Sequence, residues 1–179
     1  MAESKSGKRF EALVLPHMNS AFNVARWLTH NDQDAQDVVQ EAYLRALRFF
    51  GGFRGEDART WLLSIVRNTF YTWYQQNRAP AAQTTMFEEE MHSLEATIDA
   101  YSDEPEANLM RSQSRRRVHQ ALRNLRLEYR EVIVLRELEE LSYKEIAAVV
   151  GIPMGTVMSR LGRGREQLAA LLAPTDREA

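Results

Sequence analysis

Apolar residues recur at steps of three and four along most of the chain, the period of an amphipathic helix. Phe10, Leu13, Val14, Met18, Ala21, Phe22, Ala25 and Leu28 form one stripe. Ala35, Val38, Val39, Ala42, Ala46 and Phe50 form a second, with Asp32 a candidate N-cap. A third runs through Ala58, Leu62, Ile65, Val66, Thr69 and Trp73. The pattern fades from Ala79 to about Asp103, where one short helix around Phe87–Leu94 is the most that the residues support. It resumes after Pro105, a residue suited to a first helical turn. From there Val118, Leu122 and Leu125 lead to Val132, Ile133, Leu135 and Leu138, then to Ile146, Val149 and Val150, and finally to Val157, Leu161 and Leu168. Nothing alternates with period two. The expectation is an all-α chain of two small helical domains joined by a flexible linker, the second containing a helix-turn-helix.

Ser142 and Glu145 have the spacing of a capping box that starts a helix at Tyr143. Gly151 can close that helix in the left-handed region, and Pro153 fits the first turn of the next, where no amide donor is needed. Two short helices around a tight glycine turn make a helix-turn-helix. On the second helix Val157, Leu161 and Leu168 share the core side. Gly155, Thr156, Met158, Ser159, Gly162 and Arg163 lie opposite, flanked by Arg160 and Arg165. Between Ile152 and Arg165 there are three basic residues and no acidic one. Small or polar tips toward bases and cations toward phosphates are what a groove-facing helix requires. A helical hairpin with a solvated basic face is the alternative that the residues leave.

Charge sharpens the division. The chain has 179 residues and a formal net charge of −2. Residues 1–78 carry 10 basic and 8 acidic side chains, 79–113 carry 1 and 8, and 114–179 carry 12 and 9. The segments are therefore net +2, −7 and +3, two mildly basic modules around an acidic connector. Modules of this size bury only about 60% of their unfolded surface and are marginal alone. With no cysteine in the chain, disulfides, zinc fingers, iron–sulfur ligation and thiol switches are excluded. There is no apolar run long enough to span a bilayer and no hydrophobic signal core, so a cytoplasmic chain is expected.

Enzyme chemistry finds no support. Glu89 and His92 form a lone Glu-x-x-His, whereas a di-metal bundle needs two such pairs and further glutamates. His17, His30 and His119 have no spaced ligand partner, and neither a phosphate loop nor a nucleophile elbow is present. The expectation is no catalytic activity, no metal and no cofactor.

Three segments together resemble the extracytoplasmic-function (ECF) sigma factors, the smallest bacterial sigma factors, which keep only the second and fourth regions of the housekeeping type. They are DAQDVVQEAYLRAL at 34–47, FRGEDARTWLLSIVRNTF at 53–70 and LSYKEIAAVVGIPMGTVMSRLGRGRE at 141–166. The resemblance covers nearly the whole chain and implies a second-region domain at 1–78, a linker at 79–113 and a fourth-region domain at 114–179. By this resemblance Asp34, Asp37, Gln40, Glu41, Leu44 and Arg45 dock on the β′ clamp helices of core RNA polymerase, whose β subunit is a further contact. Read from the residues alone, they are the solvated acidic face of an amphipathic helix.

Ser64, Arg67, Tyr71, Tyr74 and Arg78 place cations and aromatics in one arc, suited either to single-stranded DNA or to a packed face with extended arginines. The resemblance assigns Phe53, Arg54, Trp61, Arg67 and Asn68 to the minus-10 element, through capture of a flipped base, and Tyr71 joins them from the arc. The register of Trp61 allows both core and surface. Gly51, Gly52 and Gly55 suggest unusual backbone angles in the loop that holds Phe53 and Arg54.

Arg136, Tyr143, Lys144, Thr156, Ser159, Arg160, Arg163 and Arg165 match positions that serve minus-35 recognition. Met158 stands where the family commonly has a basic residue, and Gly162 and Gly164 replace larger ones, which puts the placement of Arg163 in question. The acidic linker resembles the family's connector, either a nucleic-acid mimic or a plain tether. The function implied is promoter-specific transcription initiation, controlled by an anti-sigma factor and linked to stress response, with core RNA polymerase and promoter DNA as partners. The reading from another class is a free-standing dimeric helix-turn-helix regulator.

Overall fold

The computed structural model describes residues 2–55, 57–77 and 105–174. Residues 79–104 of the acidic segment, with the short helix expected at Phe87–Leu94 and the Glu89–His92 pair, and Arg78 lie outside them. Among the described residues every regular element is helical.

Helix α1 (Ala2–Val14) gives way at Leu15–His17 to a single 3-10 turn, after which α2 runs over Met18–Thr29. Pro16 accounts for the break, since it has no amide donor and its ring crowds the preceding turn. The first stripe is therefore two helices, and Met18, at the junction, is 48% exposed. Helix α2 ends at His30 in the left-handed region, φ 59°. Asn31, not Asp32, is the N-cap of α3 (Asp32–Phe49): its side-chain oxygen accepts the Asp34 N–H at 2.9 Å. Asp32 sits one position inside and pairs with Arg26 at 2.8 Å, where it still meets the positive end of the helix dipole. Helix α4 (Ala58–Asn77) fills the middle of this module with Leu62, Leu63, Val66 and Phe70, all buried. Each such side chain contributes about 1.5–3 kcal/mol by leaving water.

The second module begins with α5 (Pro105–Asn124), which Pro105 starts as expected. Helix α6 (Leu127–Ile133) continues as a π turn over Val134–Leu138. The wider turn shifts the register that follows it, and Leu138, expected inside, is 47% exposed. Val118 on α5 also lies outside, at 39%. Helix α7 (Tyr143–Val150) starts at the complete Ser142–Glu145 capping box and ends at Gly151, φ 74°. Helix α8 (Met154–Leu172) follows, with Pro153 as its N-cap, one position earlier than expected.

Helix α8 runs unbroken through both glycines, which removes the question over Arg163. The two glycines differ. A Cβ on Gly162 would meet nothing within 4 Å, whereas on Gly164 it would lie 2.8 Å from Ile133 Cδ1 and 3.2 Å from Tyr129 Cβ. Gly164 lets α6 and α8 approach closely; Gly162 only weakens the helix. Gly162→Ala should therefore stabilise the chain by about 1 kcal/mol. Gly164→Val should destabilise it by about 1–3 kcal/mol through overpacking. Denaturant unfolding of the two variants should show shifts of opposite sign.

The modules touch. Helix α4 packs on α7, and α2 packs on α6.

Candidate nucleic-acid and polymerase interface

On α3, Ala35, Val38, Val39, Ala42 and Ala46 face inward, which turns the intervening positions out. Asp37, Gln40 and Glu41 are exposed, Asp34 and Arg45 are half-buried, and Leu44 is 55% exposed. Arg45 pairs with Glu41 at 2.8 Å. Beside this face lies an open apolar groove lined by Phe10, Met18, Phe22, Tyr43, Leu44 and Leu47. The acidic stripe thus borders apolar surface, an arrangement that the charge pattern alone does not reveal.

The residues assigned to the minus-10 element fall into three groups. Phe53 is 5% exposed and stacks on Phe50 at 5.8 Å, while half-buried Trp61 meets Phe53 at 4.8 Å. Both belong to an aromatic cluster under the loop. Arg54 and Asn68 face solvent. Gly51 and Gly52 belong to the 3-10 turn Phe50–Gly52, and neither they nor Gly55 has a positive φ, contrary to expectation; Gly151 is the glycine with positive φ among the described residues. Arg67 and Tyr71 do something else: they reach across to the second module.

Their target is Glu131, 2% exposed and carried on α6. Arg67 donates to it from Nε at 2.9 Å and from Nη2 at 3.3 Å, and Tyr71 donates from its hydroxyl at 3.2 Å. The Arg67 guanidinium also lies 4.3 Å from the Tyr71 ring centre. Burial first, and the Glu131 carboxylate second, push the Tyr71 phenol up to about 12. Burial pulls Arg67 down, but its bonds to Glu131 outweigh this and hold it above its ordinary value. A second pair joins the modules at Arg59 and Glu139, 2.7 Å apart, with Glu139 6% exposed. Trp27 of α2 stacks on His119 of α5 at 4.6 Å. In the same cleft His30 is pulled down to about 3 by burial, then by Arg130 and Arg123, and so stays neutral at pH 7.

The sequence reading missed Glu131, Arg59 and Glu139. A signal existed for one of them: Glu131 stands four residues before buried Leu135 and beside Val132, an acid at a core position of an apolar helix.

The helix-turn-helix presents most of its assigned residues outward. Lys144, Ser159, Arg163 and Arg165 are exposed, and Tyr143 and Thr156 are half-buried. Arg165 pairs with Glu137 at 2.6 Å, and that hydrogen bond raises its affinity for its proton. Arg136 donates to the Leu141 carbonyl at 2.8 Å and lies over the Tyr143 ring, so it shapes the entry to α7. Arg160 turns back toward Glu131, at 3.5 Å. Exposed Met158 occupies the middle of the outward arc.

Residues 13–79 match the sequence family Sigma-70 region 2, and residues 115–168 match Sigma-70, region 4. The RNA polymerase sigma-H factor of Pseudomonas aeruginosa is 35% identical over 175 residues, 96% of this chain and 90% of the relative. The ECF RNA polymerase sigma-E factor of Escherichia coli K12 is 35% identical over 171 residues, 93% of this chain and 88% of the relative. Among solved structures, CnrH in complex with the cytosolic domain of CnrY is similar at 28% identity and a TM-score of 0.65, covering 97% of this chain and 91% of that one. The sigma factor RpoE bound to the anti-sigma factor NepR, from Bartonella quintana, shares the fold at 23% identity and a TM-score of 0.66, over 92% and 97% of the two chains. Two linked helical modules, one with a helix-turn-helix, define the class of small two-region sigma factors. This chain belongs to the ECF sigma factor family.

Proposed function

We propose that this chain is the promoter-specificity subunit of a bacterial RNA polymerase. It binds core polymerase through α3, directs it to a two-part promoter, and acts without catalytic chemistry of its own, in the cytoplasm. The observation that carries the reading is the outward face of α8, where Ser159 and Arg163 are exposed on a capped helix-turn-helix, within a chain whose other module matches the second sigma region. Few net positive charges mean a weak non-specific DNA term. Useful affinity then depends on polymerase holding both modules on one DNA.

In this reading residues 1–78 form the polymerase and minus-10 domain, and 114–179 form the minus-35 domain. Asp34, Asp37, Gln40, Glu41, Leu44 and Arg45 meet the clamp helices, where carboxylates set orientation as well as affinity. Arg54 and Asn68 are the minus-10 groups already at the surface. An anti-sigma factor is the regulatory partner, in keeping with the fold shared with the sigma factor RpoE, whose structure holds the anti-sigma factor NepR.

Run-off transcription tests the reading. Core polymerase plus this chain should give specific transcripts that core alone does not, with an asymmetric footprint beside the start site. A palindromic footprint without polymerase would support the dimeric regulator instead.

A further inference from the structure

The two DNA-facing groups meet in one place. Arg67 and Tyr71 come from the minus-10 set and Arg160 from the minus-35 set, and all three engage the Glu131 carboxylate, at distances of 2.9–3.5 Å. Arg67 is half-buried, and the carboxylate that it grips is almost wholly removed from solvent. We propose that Glu131 is an internal phosphate substitute that latches the chain in a closed form, in which these DNA-binding groups are withheld from promoter DNA until the modules separate. This rests on the sigma-factor reading for the role of the arginines, although the latch itself is a property of the closed fold.

Guanidinium groups take carboxylates and phosphates in the same forked geometry, so a DNA backbone competes directly for the groups that Glu131 holds. The latch is also poised. A buried ion pair pays most of its attraction back in desolvation, yet removing one partner leaves an uncompensated buried charge and strongly favours separation. The closure also includes the packing of α4 on α7 and of α2 on α6, the Arg59–Glu139 pair and the Trp27–His119 stack. The α3 face is not part of the closure. Asp37, Gln40 and Leu44 stay exposed in the closed form, so polymerase can seat on α3 first and the modules can part afterwards.

Glu131→Gln keeps the shape and removes the charge. Because the chain has no cysteine, Arg48→Cys and Ala148→Cys, at one exposed position in each module, accept a pair of spin labels with no background. The label separation should be short and narrowly distributed in the otherwise unaltered chain, and longer and broader with Glu131→Gln. An apparent affinity is reduced by the fraction of chain that is competent to bind. If closed chains outnumber open ones by about ten to one, Glu131→Gln binds mixed-sequence duplex DNA about tenfold tighter. The slope of log affinity against log salt should steepen by roughly two phosphates, for Arg67 and Arg160.

Glu128→Gln makes the same charge change on the same helix, away from the other module's arginines. It should leave the label separation unchanged and the affinity within about twofold. Should Glu131→Gln fail to fold, as circular dichroism would show, Arg59→Gln opens the other interdomain pair and should lengthen the same distance. Identical separations across these variants, or equal DNA affinities for Glu131→Gln and Glu128→Gln, would overturn the latch. These readouts need no polymerase, so they stand apart from run-off transcription: an absent transcript counts against the sigma reading, an unmoved label pair against the latch.

Discussion

Asp37→Arg should reduce binding to core RNA polymerase by at least about tenfold while leaving the helical content and unfolding midpoint nearly unchanged. Asp37 is exposed on α3 and no folding contact depends on it, unlike Asp32, which pairs with Arg26, or Glu41, which pairs with Arg45. The substitution places a cation in the middle of the acidic stripe, opposite the basic surface to which that stripe is assigned. Like charges brought together at an interface cost several kcal/mol, far more than the loss of one rim charge. The groove beside the stripe adds an apolar component, since Leu44 and Leu47 are 55% and 53% exposed. Leu44→Ala should therefore weaken binding with little dependence on salt, whereas the Asp37→Arg defect should vary with ionic strength. Affinity measured by fluorescence anisotropy with labelled chain at two salt concentrations separates the two. An Asp37→Arg chain that binds polymerase as the parent does would remove α3 from the docking surface.

The helices were legible because each signal is local. The capping box at Ser142 and Glu145, the left-handed close at Gly151 and the start at Pro105 depend on a few neighbouring residues, and all three stand where the sequence places them. Errors arise where two local signals compete. Asn31 and Asp32 are both good caps, and Asn31 prevails by reaching the Asp34 amide. The acidic and aromatic stripes are also visible as stripes. What no periodicity can show is what a stripe faces. Arg67 and Tyr71 read first as a single-strand platform, with a packed face as the alternative, and in the closed chain they are packed, against an acid 64 and 60 residues away. That contact crosses a long acidic segment, so no spacing rule encodes it. The burial of Phe53 is hidden from the sequence for a related reason: the motif places it in a glycine-flanked loop, but Phe50 and Trp61 draw its ring inward.

Arg163→Ala should weaken binding of the polymerase complex to the upstream promoter element, and should lower the slope of log affinity against log salt by about one. Arg163 is exposed on the outward arc of α8. Arg165, though assigned the same role, starts from a different state, because Glu137 holds it at 2.6 Å and both side chains are about half exposed. To reach a phosphate it must leave that carboxylate, so its gain on DNA is reduced by the pair that it breaks. Arg165→Ala should accordingly cost less affinity than Arg163→Ala. Glu137→Gln should do the reverse of both, releasing Arg165 and tightening the complex with a steeper salt slope. Exposed ion pairs contribute about 0–1 kcal/mol, so the gain from Glu137→Gln is at most about fivefold. Filter binding of the three variants across a salt series tests the order. If Arg163→Ala leaves the slope unaltered, that side chain does not touch the DNA backbone, and the reading face of α8 must be centred elsewhere, toward Thr156 and Ser159.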